Sequence, residues 1–392
     1  MKFAYCVTPH IGGTYTVFRH LRQGLAPHGI DVRWLGVGTS LADMPDSEFG
    51  ESIDAALPEE EQAETMIQIL NAGGYDGVFI NVLTARMQMN IARYLPRHLL
   101  RVMIVHNITP GTYVAAQAIR DNVHATVGVS KRCRTDLINL YHFLPKRTLT
   151  IENAVDARGM RGIERMASNR PGLRMVFLGR VEDASKGVML LPALLDELPR
   201  DFTLTIAGDG PDLPRLKTRL ARFADRVTYL GFVAPERIST VLLNHDALIM
   251  PSRFEGFGLT LVEAMAAGCV PVATMLSGVT DTIVTHGQTG FLFPVGDMRR
   301  AALIMAALTE QTVRTRMSNA ARAAVLKDFT IERMGQRYAE LIHTIKASPP
   351  AIAPVLPVSE WSIPRGLRAG LRTYLPVPVK NWVRGWRERH SA

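Results

Sequence analysis

Pro251-Ser252-Arg253-Phe254-Glu255-Gly256-Phe257-Gly258-Leu259-Thr260-Leu261-Val262-Glu263-Ala264-Met265-Ala266-Ala267-Gly268 follows the short apolar run Ala247–Met250. A buried strand, a turn with two glycines and a helical pattern form one strand-to-helix step of a parallel α/β sheet. Gly256 and Gly258 let the backbone approach a ligand closely. A helix beginning near Leu259 and Thr260 aims free amides at the same place, and such a terminus favours an anion, phosphate above all. Glu255 sits in the turn and Glu263 one helical turn inside. A phosphate alone gains nothing from two carboxylates beside it, whereas hydroxyls do, because a carboxylate accepts their hydrogen bonds. A ligand with both phosphates and sugar hydroxyls, a nucleotide sugar, meets both demands.

The same rhythm runs outward in both directions. Before it, strands are predicted at Phe3–Val7, Val32–Val37, Gly77–Ile80, Arg101–Val105 and Ala125–Val129, with helical patterns such as Val17–Leu25 between them. Ser130 is placed to cap the helix that follows Val129. The rhythm breaks over Asp156–Gly172 and restarts at Arg174–Leu178, Phe202–Ala207, Val227–Leu230, Ala247–Met250, Val270–Ala273 and Gly290–Phe293. The expectation is two doubly wound Rossmann-like domains, residues 1–165 on the acceptor side and 166–330 holding the nucleotide sugar. Ile331–Lys346 is read as a long helix closing the second half, and residues 347–392 as a tail. The acidic stretch Asp43–Glu64 is read as a solvated loop and helix face.

Composition excludes several classes. The chain has 392 residues, 47% apolar and 21% charged, a globular rather than disordered balance. Its net charge of +9 is uneven: residues 347–392 hold seven Arg or Lys against two acids, while Trp34–Ala85 holds ten acids and no Lys or Arg. A uniformly basic nucleic-acid binder does not look like this. Cys6, Cys133 and Cys269 have no metal-ligand or disulfide spacing, so a reducing compartment and packing roles are expected. The first residues are apolar for too short a run to be a secretory signal, and no apolar stretch is long enough to span a bilayer, so a cytoplasmic address is expected. There is no Walker phosphate loop, HExxH, G-x-S-x-G or DxD motif, and Gly36-Val37-Gly38-Thr39-Ser40-Leu41 lacks the third glycine of a dinucleotide fingerprint.

The motif P-S-x-x-E-G-F-G-L-x-x-x-E-A-M-A-x-G closely resembles that of the retaining glycosyltransferases of family 4, which have the GT-B fold of two facing Rossmann-like domains with a cleft between them. The likeness extends over about residues 3–345. It implies that Arg180, in Phe177-Leu178-Gly179-Arg180, and Lys186 hold the donor diphosphate. The Arg-to-Lys spacing is one residue longer than the family's usual pattern. It implies that Ile206-Ala207-Gly208-Asp209-Gly210-Pro211 and Tyr229-Leu230-Gly231-Phe232-Val233 line the base through Gly208, Phe232 and Val233, and that Gly256, Phe257, Gly258, Leu259 and Thr260 line the donor. Glu255 would hold the donor sugar and Glu263 the ribose. Gly12-Gly13 would bring amides near the phosphates, and His106, after strand Arg101–Val105, would orient a sugar hydroxyl. Ile151–Asp156 resembles the family's hinge, with Glu152 and Ala154 in place of Pro and Gly. Ser277-Gly278-Val279-Thr280-Asp281 departs from the family's Gly-Gly-x-x-Glu, which weakens Asp281 as a site residue.

The implied activity is transfer of a hexose from a nucleoside-diphosphate sugar to a glycan or glycolipid, with retention and without a cofactor or an obligatory metal, in a setting such as bacterial envelope polysaccharide synthesis. Plainer readings stand beside it. Glu263 alone reads as a surface carboxylate, Arg180 as a partner of Glu182 or Asp183, His106 as a core histidine, and Gly12-Gly13 as a tight turn. At the level of the whole protein the rivals are a sugar-nucleotide epimerase and a non-catalytic sugar-nucleotide-binding protein. The tail, with Trp361, Trp382 and Trp386 among seven cations, has the composition an anionic membrane surface attracts; packing on the N-terminal domain, a mobile extension and RNA binding are the alternatives.

Overall fold

The computed structural model describes residues 1–9, 12–38, 47–82, 84–157, 172–368 and 379. The chain divides into two compact units, the first made of residues 1–154 and 331–373 and the second of residues 155–330 and 374–392. The sequence-based boundary at 165 lies outside the described residues.

In the first unit the order is β1 (Lys2–Cys6), α1 (Gly13–Leu25), β2 (Asp31–Val37), β3 (Gly50–Ile53), α2 (Glu59–Ala72), β4 (Gly77–Asn81), α3 (Arg86–Asn90), β5 (Leu100–Val105), α4 (Pro110–Ile119), β6 (Ala125–Gly128), α5 (Lys131–Tyr141) and β7 (Thr148–Thr150). Its seven strands lie in the order β3-β2-β1-β4-β5-β6-β7, all parallel. Ser130 caps α5 as expected, its hydroxyl accepting the Cys133 amide. Two edge strands were not expected. Gly50–Ile53 pairs with β2 inside the stretch read as solvated loop, because Gly50 lies against Trp34, where a side chain would collide with the indole. Thr148–Thr150 has only three residues and carries no alternation to read.

In the second unit the order is β8 (Arg174–Leu178), α6 (Asp183–Lys186), α7 (Leu191–Asp196), β9 (Thr203–Ala207), α8 (Leu213–Leu220), β10 (Val227–Gly231), α9 (Pro235–Leu243), β11 (Ala247–Met250), α10 (Leu259–Ala266), β12 (Val270–Thr274), β13 (Phe291–Phe293), α11 (Met298–Ala307) and α12 (Gln311–Asp328). Its sheet runs β10-β9-β8-β11-β12-β13, again all parallel. Central strands such as β11 and β12 are buried along their whole length, which is why they read as continuous apolar runs rather than alternating ones. All three cysteines are buried and none is in a disulfide.

The closing helix corrects the sequence reading. Helix α13 (Ile331–Ala347) belongs to the first unit, where it packs on α1. The cause is a glycine-to-glycine crossing: a Cβ on Gly24 would meet the Ile331 carbonyl at 2.6 Å, and one on Gly335 would meet the Gly24 carbonyl at 2.1 Å. Phe79 of β4 meets Tyr338 of α13 at a near-right angle, ring centroids 5.8 Å apart, and holds the helix on the same unit. The proline-rich segment after it is also anchored to the first unit. Arg147 donates to the Ala351 carbonyl, Ala353 N–H to Asp121, and Leu356 N–H to Arg93. Trp361 lies on Tyr94 at 4.5 Å between centroids, and Gly366 fits against Val114 and Ala118 of α4. Up to residue 368 the segment thus follows the packing alternative; Trp382 and Trp386 lie outside the described residues.

Both sheets reverse their winding at one point, between β1 and β4 and between β8 and β11. Ligands of open parallel sheets bind beyond the carboxyl ends of strands at such points. The loops that follow these four strands therefore come first.

Candidate active site

In the second unit, β11 leads through Pro251–Gly258 into α10. Leu261, Val262, Ala264 and Met265 are buried, so α10 is anchored on nearly every face except that of Glu263. Its C-terminal end is held by α12, Ser318 donating to the Gly268 carbonyl and Arg322 to that of Ala267. At the other end Gly258 has φ +107°, a left-handed conformation that costs a side-chain-bearing residue strain. It turns the chain so that the Leu259 and Thr260 amides head the helix. The Phe257 ring is buried against Phe329, 6.1 Å between centroids, so Phe257 holds the turn by packing.

Glu255 is 9% exposed, and its Oε1 accepts from Lys186 Nζ at 2.6 Å and from Ser252 Oγ at 2.7 Å. The resemblance had given Lys186 to the diphosphate and Glu255 to the sugar; the structure joins them in one ion pair. Lys186 closes the short helix α6, which ends at Gly187 with φ +63°. A Cβ there would meet the Pro251 carbonyl at 2.2 Å. This close approach, with Arg253 N–H donating to the Ser185 carbonyl at 2.7 Å, brings Lys186 onto Glu255. Lys186 keeps two further N–H groups and Glu255 its Oε2 for a ligand. Ser252 was not singled out from sequence, and its only signal was its place in the motif. Arg253 is held by Asp183.

Arg180, at the end of β8, is 68% exposed in its side chain, with Glu182 at 4.0 Å. At that distance and exposure the pair contributes little, and the guanidinium is available. The loops after β8 and β9 are laced together. A Cβ on Gly208 would meet the Gly179 carbonyl at 1.9 Å, and Val181 N–H donates to the Asp209 carbonyl at 2.8 Å. Phe232 is 51% exposed just after Gly231, offering a ring face on which a base can stack. Val233 follows it, partly buried. Glu263 has no hydrogen bond or ion pair to its carboxylate among the described residues, and burial pushes its pKa from 4.5 up to about 7. Asp281 is exposed in a short helical turn.

In the first unit Gly12 and Gly13 open α1, Gly12 accepting the Tyr15 and Thr16 amides through its carbonyl. At the end of β4, Asn81 is fully buried; its Nδ2 donates to the Cys6 carbonyl at 2.8 Å, and its Oδ1 meets His106 Nε2 at 2.7 Å. The first bond fixes the amide, so His106 Nε2 must be the donor and Nδ1 the acceptor. Burial lowers the His106 pKa to about 4, keeping the ring neutral. Asn81 escaped the sequence reading because an Asn closing an apolar strand has no distinctive spacing. Among the described residues, no group of three His, Cys, Asp or Glu is placed to hold a metal, and no helix is long and apolar enough to cross a membrane.

Two parallel doubly wound units with ligand loops at their reversal points define a GT-B-type α/β protein. Solved structures share this fold. A glycosyltransferase from Rickettsia africae is 18% identical with a TM-score of 0.73, over 88% of this chain and 99% of its own. The Anabaena protein HepE in complex with UDP-glucose is 20% identical with a TM-score of 0.73, over 88% of this chain and all of its own. Residues 164–324, most of the second unit, match the family model described as glycosyl transferases group 1. Curated relatives include the glycogen synthase of Mycobacterium tuberculosis, 29% identical over 55% of this chain and 52% of that protein. Another is the phosphatidyl-myo-inositol mannosyltransferase of the same organism, 34% identical over 45% of this chain and 48% of that protein. The chain spans about half the length of these relatives.

Proposed function

We propose that this protein transfers a hexose from a nucleoside-diphosphate sugar to a glycan or glycolipid acceptor, with retention at the anomeric carbon. The observation that carries the reading is the Lys186–Glu255–Ser252 cluster at the foot of α10. It sets a cation and a carboxylate with a free oxygen beside a helix terminus. That supply matches a ligand with an anionic and a hydroxylated half. Names of relatives, a mannosyltransferase and a glycogen synthase among them, support the same class.

In this reading Arg180, Lys186 and the Leu259 and Thr260 amides receive the charge that develops on the diphosphate. That is stabilisation of charge where the transition state makes it. Glu255 Oε2 accepts from a donor-sugar hydroxyl and Glu263 from the ribose, while the base stacks near Phe232 and Val233. The bond from the anomeric carbon to phosphate oxygen breaks, the acceptor oxygen bonds to the same face of that carbon, and its proton passes to the departing phosphate oxygen. His106 offers Nδ1 to a sugar hydroxyl and so orients it. No metal or cofactor is needed for these steps. The working address is the cytoplasmic face of a bacterial membrane, reached through the part of the 359–392 tail beyond Arg368, and the product is envelope polysaccharide or glycolipid.

A thermal-shift panel of nucleotide sugars identifies the donor, and release of nucleoside diphosphate on addition of acceptor measures transfer. Glu255→Ala should lower turnover at least about 100-fold while the protein stays folded. Turnover comparable to wild type would overturn the assignment of Glu255, and donor binding without any turnover in wild type would favour a binding protein instead.

A further inference from the structure

We propose that the first unit holds a second ligand site, for a small anionic amphiphile, in the cavity of about 350 Å³ between β7, α13 and the start of the tail. The site lies away from His106. His124 immediately precedes β6, and Lys146 and Arg147 precede β7, at the amino ends of parallel strands, whereas His106 follows the carboxyl end of β5.

Three features give the ligand its chemistry. The walls are largely apolar, with Leu149, Ile151, Leu341 and Ile345 among them. The rim is cationic: Lys146 is exposed and has no partner among the described residues, and Arg147 spends one Nη1 bond on the Ala351 carbonyl. Arg337 is neutralised by Glu152, and Glu340 accepts from the neutral Gln336 amide and keeps its charge, so Lys146 and Arg147 stand against one carboxylate and leave the lining net cationic. The third feature is His124, only 4% exposed and lining the cavity. Its Nδ1 accepts the Arg101 amide at 3.0 Å, so the proton of the neutral ring sits on Nε2, where no acceptor meets it among the described residues. Burial, with Arg101 and Arg147 near, lowers its pKa to about 4 and keeps it a single donor. A ring N–H that meets no protein acceptor, apolar walls and two cations against one carboxylate fit a ligand with an anionic head and an apolar body. The volume lies in the range of small-molecule sites and is too small for a folded partner's element.

The test uses the full chain, with titration calorimetry below the critical micelle concentration. Decyl phosphate and decanoate represent the two sources of such a head; decanol lacks the charge and inorganic phosphate lacks the body. Expected is saturable binding of decyl phosphate, decanoate or both, with decanol and inorganic phosphate about tenfold weaker or more. Which of the two binds more tightly identifies the head. Thr344→Trp, at an exposed position on the cavity lining, should abolish binding, and Lys146→Glu should weaken it about tenfold. The ring nitrogen resonance of His124 should shift with ligand. Decanol as tight as decyl phosphate, or unchanged binding in Thr344→Trp, would overturn the proposal. Nucleotide-sugar stabilisation should be the same in Thr344→Trp as in wild type, which separates this site from the one in the second unit.

Discussion

Replacing Glu263 by Gln should reverse part of the protein's pH dependence. The Glu263 carboxyl is partly buried on α10 without a hydrogen-bond partner, and its pKa rises from 4.5 to about 7. The folded state therefore holds this proton more tightly than the unfolded chain does. Stability from this group is fully present below pH 4.5, falls as pH rises from 4.5 to about 7, and stays lost above. At about 1.4 kcal/mol per pH unit, the interval from 4.5 to about 7 amounts to about 3 kcal/mol, and partial exposure reduces it toward about 2. Denaturant unfolding of wild type and Glu263→Gln at pH 4.5, 6, 7 and 8.5 measures the difference. The variant should match wild type at acid pH and exceed it by about 2 kcal/mol at pH 8.5. The same variant should lose affinity for a nucleotide sugar, because hydroxyls that bond the carboxylate are what restores its charge on binding. A stability difference independent of pH would refute the burial argument. Unaltered donor affinity would refute the role given to Glu263.

Gly187→Ala should destabilise by about 1–3 kcal/mol and lower turnover more than donor affinity. A side chain at φ +63° must push Pro251 away, and Lys186 then leaves Glu255; calorimetry and kinetics of the variant check both. Vesicles containing anionic lipid should float the full chain and not a chain ending at Arg368, since residues up to 368 are engaged on the first unit; equal flotation of the two would remove the tail from the membrane argument.

Much of the site was legible because its residues are local. Glu255, Gly256, Gly258 and Glu263 lie within one strand-turn-helix, and short-range rules place them. Lys186 was legible only as a cation near a strand end. Its partner is 69 positions away, and the close approach of Gly187 to Pro251 that joins them has no sequence pattern. Asn81 is the same case, since it matters through Cys6 and His106, one on each side of it in the sheet. Phe257 read as a ligand contact by its place in the motif, and the structure gives its ring to the core.

The sequence by itself determined the parallel α/β class, eleven of the strands in outline and the strand-to-helix turn that holds Glu255. Each of these rests on spacing between near neighbours, and the buried parallel strands announce themselves as apolar runs. Only the tertiary structure decided that α13 and the proline-rich segment belong to the first unit, and that Lys186 pairs with Glu255. Those outcomes depend on close backbone approaches at Gly24, Gly335, Gly366 and Gly187. A glycine in a sequence does not show which distant chain will fill the space it leaves.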